Sequence, residues 1–211
     1  MADPEQMTVA IDRVRVAYGG VPDVLICAAG VAGPLHGFLQ ASLKSWTEAL
    51  HTNLLGVVNA CRAVLPGMVE RRRGKIIVLT CEAGSAPKLH FSSYATAKTA
   101  TARFVESISH ELADHNVQIN CMDPGPAYTN LTDEIIRAGD RMDAKTVAEA
   151  IEVRRTGGTS PEEQLKLAEF LASENSNHVT GRLIHIDDDW KKLKNATLRD
   201  DSYTLRRVGR L

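Results

Sequence analysis

Four short apolar runs set the architecture. Val24-Leu25-Ile26-Cys27, Ile76-Ile77-Val78-Leu79, Val117-Gln118-Ile119-Asn120-Cys121 and Leu183-Ile184-His185-Ile186 each follow a turn signal, and longer stretches of helical period separate them. The first two carry no polar alternation, which marks strands covered on both faces. Strands of that kind alternating with helices predict an α/β fold in three layers, with four parallel strands between two helical faces.

The helices are legible in the spacing of their apolar residues. Trp46, Leu50, Leu54, Val57, Val58, Cys61, Val64, Leu65 and Met68 recur at steps of three and four and predict one long helix ending at Arg71-Arg72-Arg73-Gly74. Cations suit a helix C-terminus, so the three arginines are assigned no function. Tyr94 to about Asp114 predicts the next helix, with Phe104, Val105, Ile108 and Leu112 on its apolar face. Ser160-Pro161-Glu162-Glu163 reads as a capping box with proline at the first helical position, opening a helix through Leu171. Asp3-Pro4-Glu5-Gln6 opens a helix through about Ala17.

A chain of 211 residues supports one sizeable core. A net charge of -1 and a pI near 6.7 supply no basic field, so small molecules are expected as partners and nucleic acid is not. Cys27, Cys61, Cys81 and Cys121 are widely spaced without a Cys-x-x-Cys pair, which reads as free thiols in a reducing cytoplasm and no metal site. The polar N-terminus and the lack of an apolar run near the ~20 residues of a membrane span predict a cytoplasmic protein with no membrane partner. The segment from Lys191 to Leu211 holds seven Lys or Arg against two Asp and is expected as a basic tail without a core of its own, following a domain over 1–190. A clamp over a neighbouring subunit or an anionic ligand is the alternative for that tail.

Chemistry is expected where Tyr94 and Lys98 stand four residues apart in one helix. Residues at that spacing share a face, so the Lys98 ammonium can favour the ionised Tyr94 phenol. Open parallel sheets bind ligands at the carboxyl ends of their strands, and polar and glycine-rich segments gather at those ends. These are Ala28-Ala29-Gly30, Thr80-Cys81-Glu82-Ala83-Gly84 and Asp123-Pro124-Gly125-Pro126-Ala127-Tyr128-Thr129, with Asn53 inside the long helix.

On these segments the chain resembles the short-chain dehydrogenase/reductase family over about residues 3 to 190. Cys27-Ala28-Ala29-Gly30 is similar to that family's Asn-Asn-Ala-Gly, Asn53-Leu54-Leu55-Gly56 to its helix-borne Asn, Tyr94-Ala95-Thr96-Ala97-Lys98 to its Tyr-x-x-x-Lys, and Asn120 through Thr129 to its Pro-Gly segment. The resemblance implies a Rossmann-like sheet and NAD or NADP as cofactor. It also implies hydride transfer between the nicotinamide and a carbonyl or alcohol substrate, with Tyr94 as acid and base. Lys98 is then expected to lower the Tyr94 pKa and hold the ribose hydroxyls, and Asn53 to anchor a water that links Lys98 to solvent. Ala28, Gly30, Pro124, Gly125, Ala127 and Thr129 complete the implied cofactor site. Purely structural jobs stay open for Asn53, Pro124-Gly125 and Thr129, namely satisfying buried backbone, ending a strand and capping a helix.

Two departures stand out. Cys81 occupies the position thirteen residues before Tyr94 where the family places a serine against the substrate oxygen, and a thiol donates more weakly than a hydroxyl. Ser85 is the expected substitute, with Ser92 and Ser93 as further candidates, and Thr80 is expected on the opposite face of its strand. Cys81 read as a reactive thiol, in a redox or metal cluster with Cys27 and Cys121, is the lesser alternative. The front of the chain also lacks the family's glycine-rich phosphate turn, as though about 60 residues in two βα units were absent. On that reading the strand at Val24 is an open edge and the oxidoreductase is impaired. The competing expectation is a non-catalytic remnant that associates through its two long helices. Either form is expected as a homodimer or homotetramer.

Overall fold

The computed structural model describes residues 2–207. Its centre is a four-stranded parallel sheet in the order β1 (Val24–Cys27), β2 (Gly74–Leu79), β3 (Val117–Asp123) and β4 (Leu183–His185). β1 pairs with β2, β2 with β3 and β3 with β4, and the register sets Cys27 opposite Val78 and Val78 opposite Cys121. Chain order and sheet order coincide, so every crossover steps to the next strand and the chemistry-bearing ends all lie on one rim.

Alternate strand residues feed two cores. On one face Cys27, Ile76, Val78, Val117, Ile119 and Cys121 pack against α1 (Pro4–Tyr18), α3 (Gly56–Glu70) and α4 (Ser92–Glu111) through Ile11, Val57, Val64, Met68, Ala102 and Val105. On the other, Ile77, Met122 and Ile184 pack against Leu167 and Leu171 of α7 (Pro161–Ala172). The three predicted layers are present.

The long helix has an internal fault. α2 (Leu43–Leu50) and α3 are joined without a break by a π-turn over His51–Leu55, and together they form one helix over Leu43–Glu70. By length and composition that helix could cross a membrane, contrary to the sequence reading that no segment approaches a span. The mismatch arises because polar residues interrupt the apolar run without lowering its mean hydropathy enough. Its apolar side is spent on the sheet, where Val57, Cys61, Val64 and Met68 are buried.

Two further details differ from expectation. Ser160 does precede Pro161 at the start of α7, yet its hydroxyl donates to the Glu162 carboxylate at 2.5 Å and the capping box is not made. A carboxylate is the stronger acceptor within reach, and it competes the hydroxyl away from the backbone. The basic tail has no core of its own, and it is fastened to the domain's: Leu193 is buried with Trp190, while Leu198 and Tyr203 pack beside them. The Leu183 N–H donates to the Tyr203 carbonyl at 2.7 Å, and Arg206 pairs with the buried Glu106 of α4. Residues 208–211 of that tail lie outside the described residues. At the other side of the sheet β1 is an edge, and its Ile26 is half exposed.

Candidate active site

At the carboxyl ends of the strands lies a cavity of about 470 Å³. Ala28 and Gly30 reach it from the end of β1, Cys81 from the end of β2, Pro124, Gly125, Ala127 and Thr129 from the end of β3, and Tyr94 and Lys98 from the first turns of α4. Every residue expected to hold cofactor is therefore in its wall. Asn53 stands behind the wall.

Tyr94 is 9% exposed and Lys98 is 7% exposed. Their spacing puts the Lys98 Nζ 5.5 Å from the Tyr94 ring centroid. That ammonium donates to the Leu79 carbonyl at 2.8 Å, so its nearest partner is the end of β2 and not the phenol. Burial pushes the Lys98 pKa down, against opposing pulls from Cys81, Cys121 and Asp123. Burial also pushes the Tyr94 phenol well above the ordinary tyrosine range, reinforced by Cys81 and Asp123. The expectation that Lys98 would favour the Tyr94 phenolate is corrected here, because desolvation outweighs a cation that is itself buried and engaged elsewhere.

Cys81 lines the same cavity as Tyr94 and Lys98. Its side chain packs beside Tyr94, and burial raises the thiol pKa in spite of Lys98. The serine substitutes fail for separate reasons. Ser85 is exposed and donates to the Glu82 carbonyl at 3.1 Å, Ser92 accepts the Trp46 indole N–H at 3.1 Å, and Ser93 is fully buried with no partner for its hydroxyl. Thr80, expected to face away, is in the cavity wall, although its Oγ1 is buried beside Gly84 without a hydrogen-bond partner. Cys27, Cys61 and Cys121 lie together in the apolar core under the sheet, apart from Cys81.

Asn53 is spent on backbone. Its Oδ1 accepts the Val31 N–H at 2.9 Å, its Nδ2 donates to the Val31 carbonyl at 2.8 Å, and its own carbonyl accepts the Thr101 hydroxyl at 3.3 Å. The π-turn explains the last contact, since displacing the helical ladder turns the Asn53 carbonyl outward toward α4. The structural alternative for Asn53 thus describes its side chain. Gly30 sits against it: a Cβ there would meet Asn53 Oδ1 at 3.0 Å and Lys98 Nζ at 4.0 Å.

The loop after β3 is held as tightly. Gly125 has φ +70°, and a Cβ on it would meet Thr159 Oγ1 at 2.5 Å. Gly158, which reads from sequence as an ordinary turn residue, has φ +80° and would drive a Cβ into the Pro126 carbonyl at 2.2 Å. The Thr159 N–H donates to that carbonyl at 2.7 Å. Thr129 caps α5 (Asn130–Ala138), and its own N–H donates to Thr132 Oγ1 at 3.2 Å.

Further residues also shape the site. α5 and α6 (Ala144–Thr156) contribute Leu131, Ile135, Ala150, Val153 and Glu149 to the wall, and Phe91 and Lys88 join them. Asp123 is 3% exposed and sits beneath the Pro124-Gly125 turn. Its Oδ1 accepts the Gly125 N–H at 3.0 Å and lies 3.9 Å from His185 Nε2. A polar residue just before Pro-Gly reads as turn chemistry, and only the sheet register brings Asp123 beside His185.

An open parallel sheet with a Tyr/Lys pair in a cavity on its carboxyl rim defines a class of α/β oxidoreductase folds. Comparison with known proteins makes the assignment narrower: residues 1–139 match the model of the short chain dehydrogenase family, and the chain belongs to that family. It is 28% identical over 181 residues to dehydrogenase/reductase SDR family member 4 of Sus scrofa, covering 83% of this chain and 63% of that protein. It is 32% identical over 190 residues to the oxidoreductase UcpA of Escherichia coli K12, covering 88% and 71%. Against the 3-oxoacyl-[acyl-carrier-protein] reductase FabG of Vibrio cholerae it is 27% identical over 187 residues, covering 89% and 73%. Among solved structures levodione reductase superposes with a TM-score of 0.77 at 21% identity over 88% of this chain and 72% of that one. Aldohexose dehydrogenase of Thermoplasma acidophilum gives 0.74 at 23% identity, over 87% and 73%. These two likenesses concern the fold. The chain spans roughly two thirds of the first of these relatives and somewhat more of the others.

Proposed function

We propose that this chain acts as an NAD- or NADP-dependent oxidoreductase on a small carbonyl or alcohol, with Tyr94 as the acid that protonates the carbonyl oxygen. The observation that carries the proposal is the convergence of Ala28, Gly30, Cys81, Tyr94, Lys98 and the Pro124 to Thr129 loop on one cavity. Gly30 supports a nicotinamide riboside there, since the space a Cβ would fill is bounded by the polar atoms of Asn53 and Lys98. Ala28, Gly30, Lys98, Pro124, Gly125, Ala127 and Thr129 are the residues that would hold it. When bound, a nicotinamide supplies or accepts the hydride.

The chain's own groups supply the rest. Buried beside Cys81, the Tyr94 phenol keeps its proton at neutral pH and is poised to donate it to an oxygen, which suits reduction. Cys81 offers the same oxygen a second, weaker donor. Lys98 holds positive charge against the Leu79 carbonyl, ready to turn toward a ribose hydroxyl. Asn53 braces Val31 and so the segment that follows Gly30, and a water at its carbonyl leading from Lys98 to solvent is part of the same proposal. Leu131, Ile135, Phe91, Ala150 and Val153 offer apolar cover for a substrate body. A cytoplasmic location, a homo-oligomeric state and a domain over 1–190 with a basic tail belong to this reading too.

The test is transfer of deuterium from 4-deuterated NADH or NADPH to a panel of ketones and aldehydes, followed by mass spectrometry. Incorporation into an alcohol product supports the proposal. No incorporation across the panel, with a folded chain that associates stably, supports the reading in which the chain acts by association.

A further inference from the structure

Tyr94 is the third residue of α4, so it lies in the turn of that helix least able to hold itself. The first N–H groups of a helix have no partner within it, and Phe91 at the cap position offers them no side-chain acceptor. Backbone support begins with the Ala95 N–H, which donates to the Phe91 carbonyl at 2.8 Å. The chain enters through His90 at φ +64°, a conformation that costs free energy in a residue other than glycine. By contrast, α1 and α6 each open on an aspartate whose carboxylate accepts first-turn N–H groups.

Two contacts from outside α4 grip this turn. The Trp46 indole N–H, on α2, donates to Ser92 Oγ at 3.1 Å across forty-six residues of chain. One position further on, Ser93 is fully buried against Ala49 of α2 and the turn at Gly33. Gly33 has φ +71°, and a Cβ on it would meet Ser93 Oγ at 2.6 Å and Ala49 Cβ at 2.8 Å, so that turn closes directly on both helices. The same loop is fastened two residues earlier, where Asn53 holds both backbone groups of Val31. Phe91 stands edge-on to Tyr94 with ring centroids 6.0 Å apart, but it belongs to the start of the same helix and moves with it.

We propose that Trp46 is a positioning residue: its indole N–H, with the Gly33 turn beside it, clamps the uncapped first turn of α4 and so fixes Tyr94 against the cavity. Trp46 is not in the cavity wall, so it acts through Ser92 and not on a substrate. The use of this clamp in catalysis rests on the reading of Tyr94 as the acid, but the clamp itself does not. A turn that opens more often presents its phenol to a carbonyl oxygen less often.

Amide hydrogen exchange reads the clamp without cofactor or turnover. Exchange is followed by mass spectrometry on the whole chain, in a peptide covering 92–98, for wild type, Trp46→Phe, Ser92→Ala and the double variant. Trp46→Phe keeps an aromatic ring in place while removing the N–H. Each single substitution should speed exchange in that peptide by about fivefold, and the double variant should be no faster than either, since all three lose the same hydrogen bond. Peptides from β2 and β3 should keep their rates. Ser92→Thr, which retains the hydroxyl, should exchange as wild type does. In deuterium transfer the two single variants should lose kcat by a similar factor with KM for the nicotinamide unchanged, a split that general loss of stability does not produce.

Should Trp46→Phe fail to fold, Ser92→Ala against Ser92→Thr carries the same test. Unchanged exchange in both single variants overturns the proposal. A double variant whose effects add, or faster exchange that spreads to β2 and β3, overturns it equally. A coupled, local loss of protection in a chain that transfers no deuterium to any substrate would support the clamp and remove the catalytic reading.

Discussion

The Cys81 thiol packs beside the Tyr94 phenol in the wall of the cavity, and burial raises the pKa of both. A site of this kind donates two protons' worth of polarisation to an oxygen between them, but unequally. The phenol is the strong donor and the thiol the weak one.

Exchanging that weak donor should raise activity. Cys81→Ser supplies a hydroxyl at the same position, and a neutral hydrogen bond better by about 1 kcal/mol corresponds to about fivefold in kcat/KM. The comparison is steady-state reduction of the best substrate from the deuterium panel. A slower Cys81→Ser enzyme would mean that the thiol has a task a hydroxyl cannot perform.

Removing the strong donor should be far costlier. Tyr94→Phe deletes the oxygen while keeping the ring that packs edge-on against Phe91, so turnover should fall by at least about 10² with little change in nicotinamide affinity. The pH dependence follows from the same burial. Reduction needs the phenol and should stay level from neutral into mildly alkaline solution, whereas oxidation needs the phenolate and should climb with pH. Equal turnover in Tyr94→Phe, or an oxidation rate that falls as pH rises from 7 to 9, contradicts the assignment.

Asn53 is predicted to act through Val31. Asn53→Ala removes both partners of the Val31 backbone, which should cost about 1–3 kcal/mol in a denaturant titration. Asn53→Asp keeps an acceptor for the Val31 N–H but sets a buried carboxylate oxygen against the Val31 carbonyl, so it should cost at least as much as Asn53→Ala. Identical midpoints for all three proteins would show that these hydrogen bonds carry no stability.

Far from the cavity, Lys75 at the start of β2 gives a pH signature of the fold itself. Its ammonium is buried, donating to Ser176 Oγ at 3.2 Å and Asn177 Oδ1 at 2.7 Å, and desolvation lowers its pKa from 10.5 to about 8, with Glu174 opposing. Between those two values the unfolded chain binds the proton that the folded chain has released, so stability from this group rises with pH from about 8 to 10.5. Below that window both states are charged and the burial penalty is felt in full. Lys75→Met removes the titration, so the stability lead of wild type over the variant should grow across the window in denaturant melts. A constant difference would place the Lys75 pKa at its ordinary value.

The fold was legible because β2 and β3 are buried on both faces and the edge strand β1 carries the same unbroken apolar run. Val24–Cys27 and the end of β2 at Leu79 fall where the unbroken apolar runs place them, and α1 begins at its Asp3 cap. The site was legible as far as short motifs reach, so Gly30, Cys81, Tyr94, Lys98 and the Pro124-Gly125 loop meet in one cavity. What escaped is what depends on register and competition. Asp123 and His185 are more than sixty residues apart and become partners only through the pairing of β3 with β4. Lys98 bonds to Leu79 because a strand-end carbonyl lies within its reach, which no helical spacing announces. Ser85 looked available because a loop serine is free to turn, and its own 3₁₀ turn claims it. The significance of Gly158 lies in the backbone of Pro126, thirty-two residues earlier in the chain, against which it closes.

The central claim is that the cavity beside Tyr94 and Lys98 accepts a nicotinamide. Fluorescence titration of the purified chain with NADH and with NADPH tests it most directly, alongside Gly30→Val, whose side chain would press on Asn53 and Lys98. The account predicts saturable binding of at least one of the two in the micromolar range, lost in a folded Gly30→Val protein. No saturable binding of either by the folded wild-type chain, or undiminished binding by Gly30→Val, would contradict it.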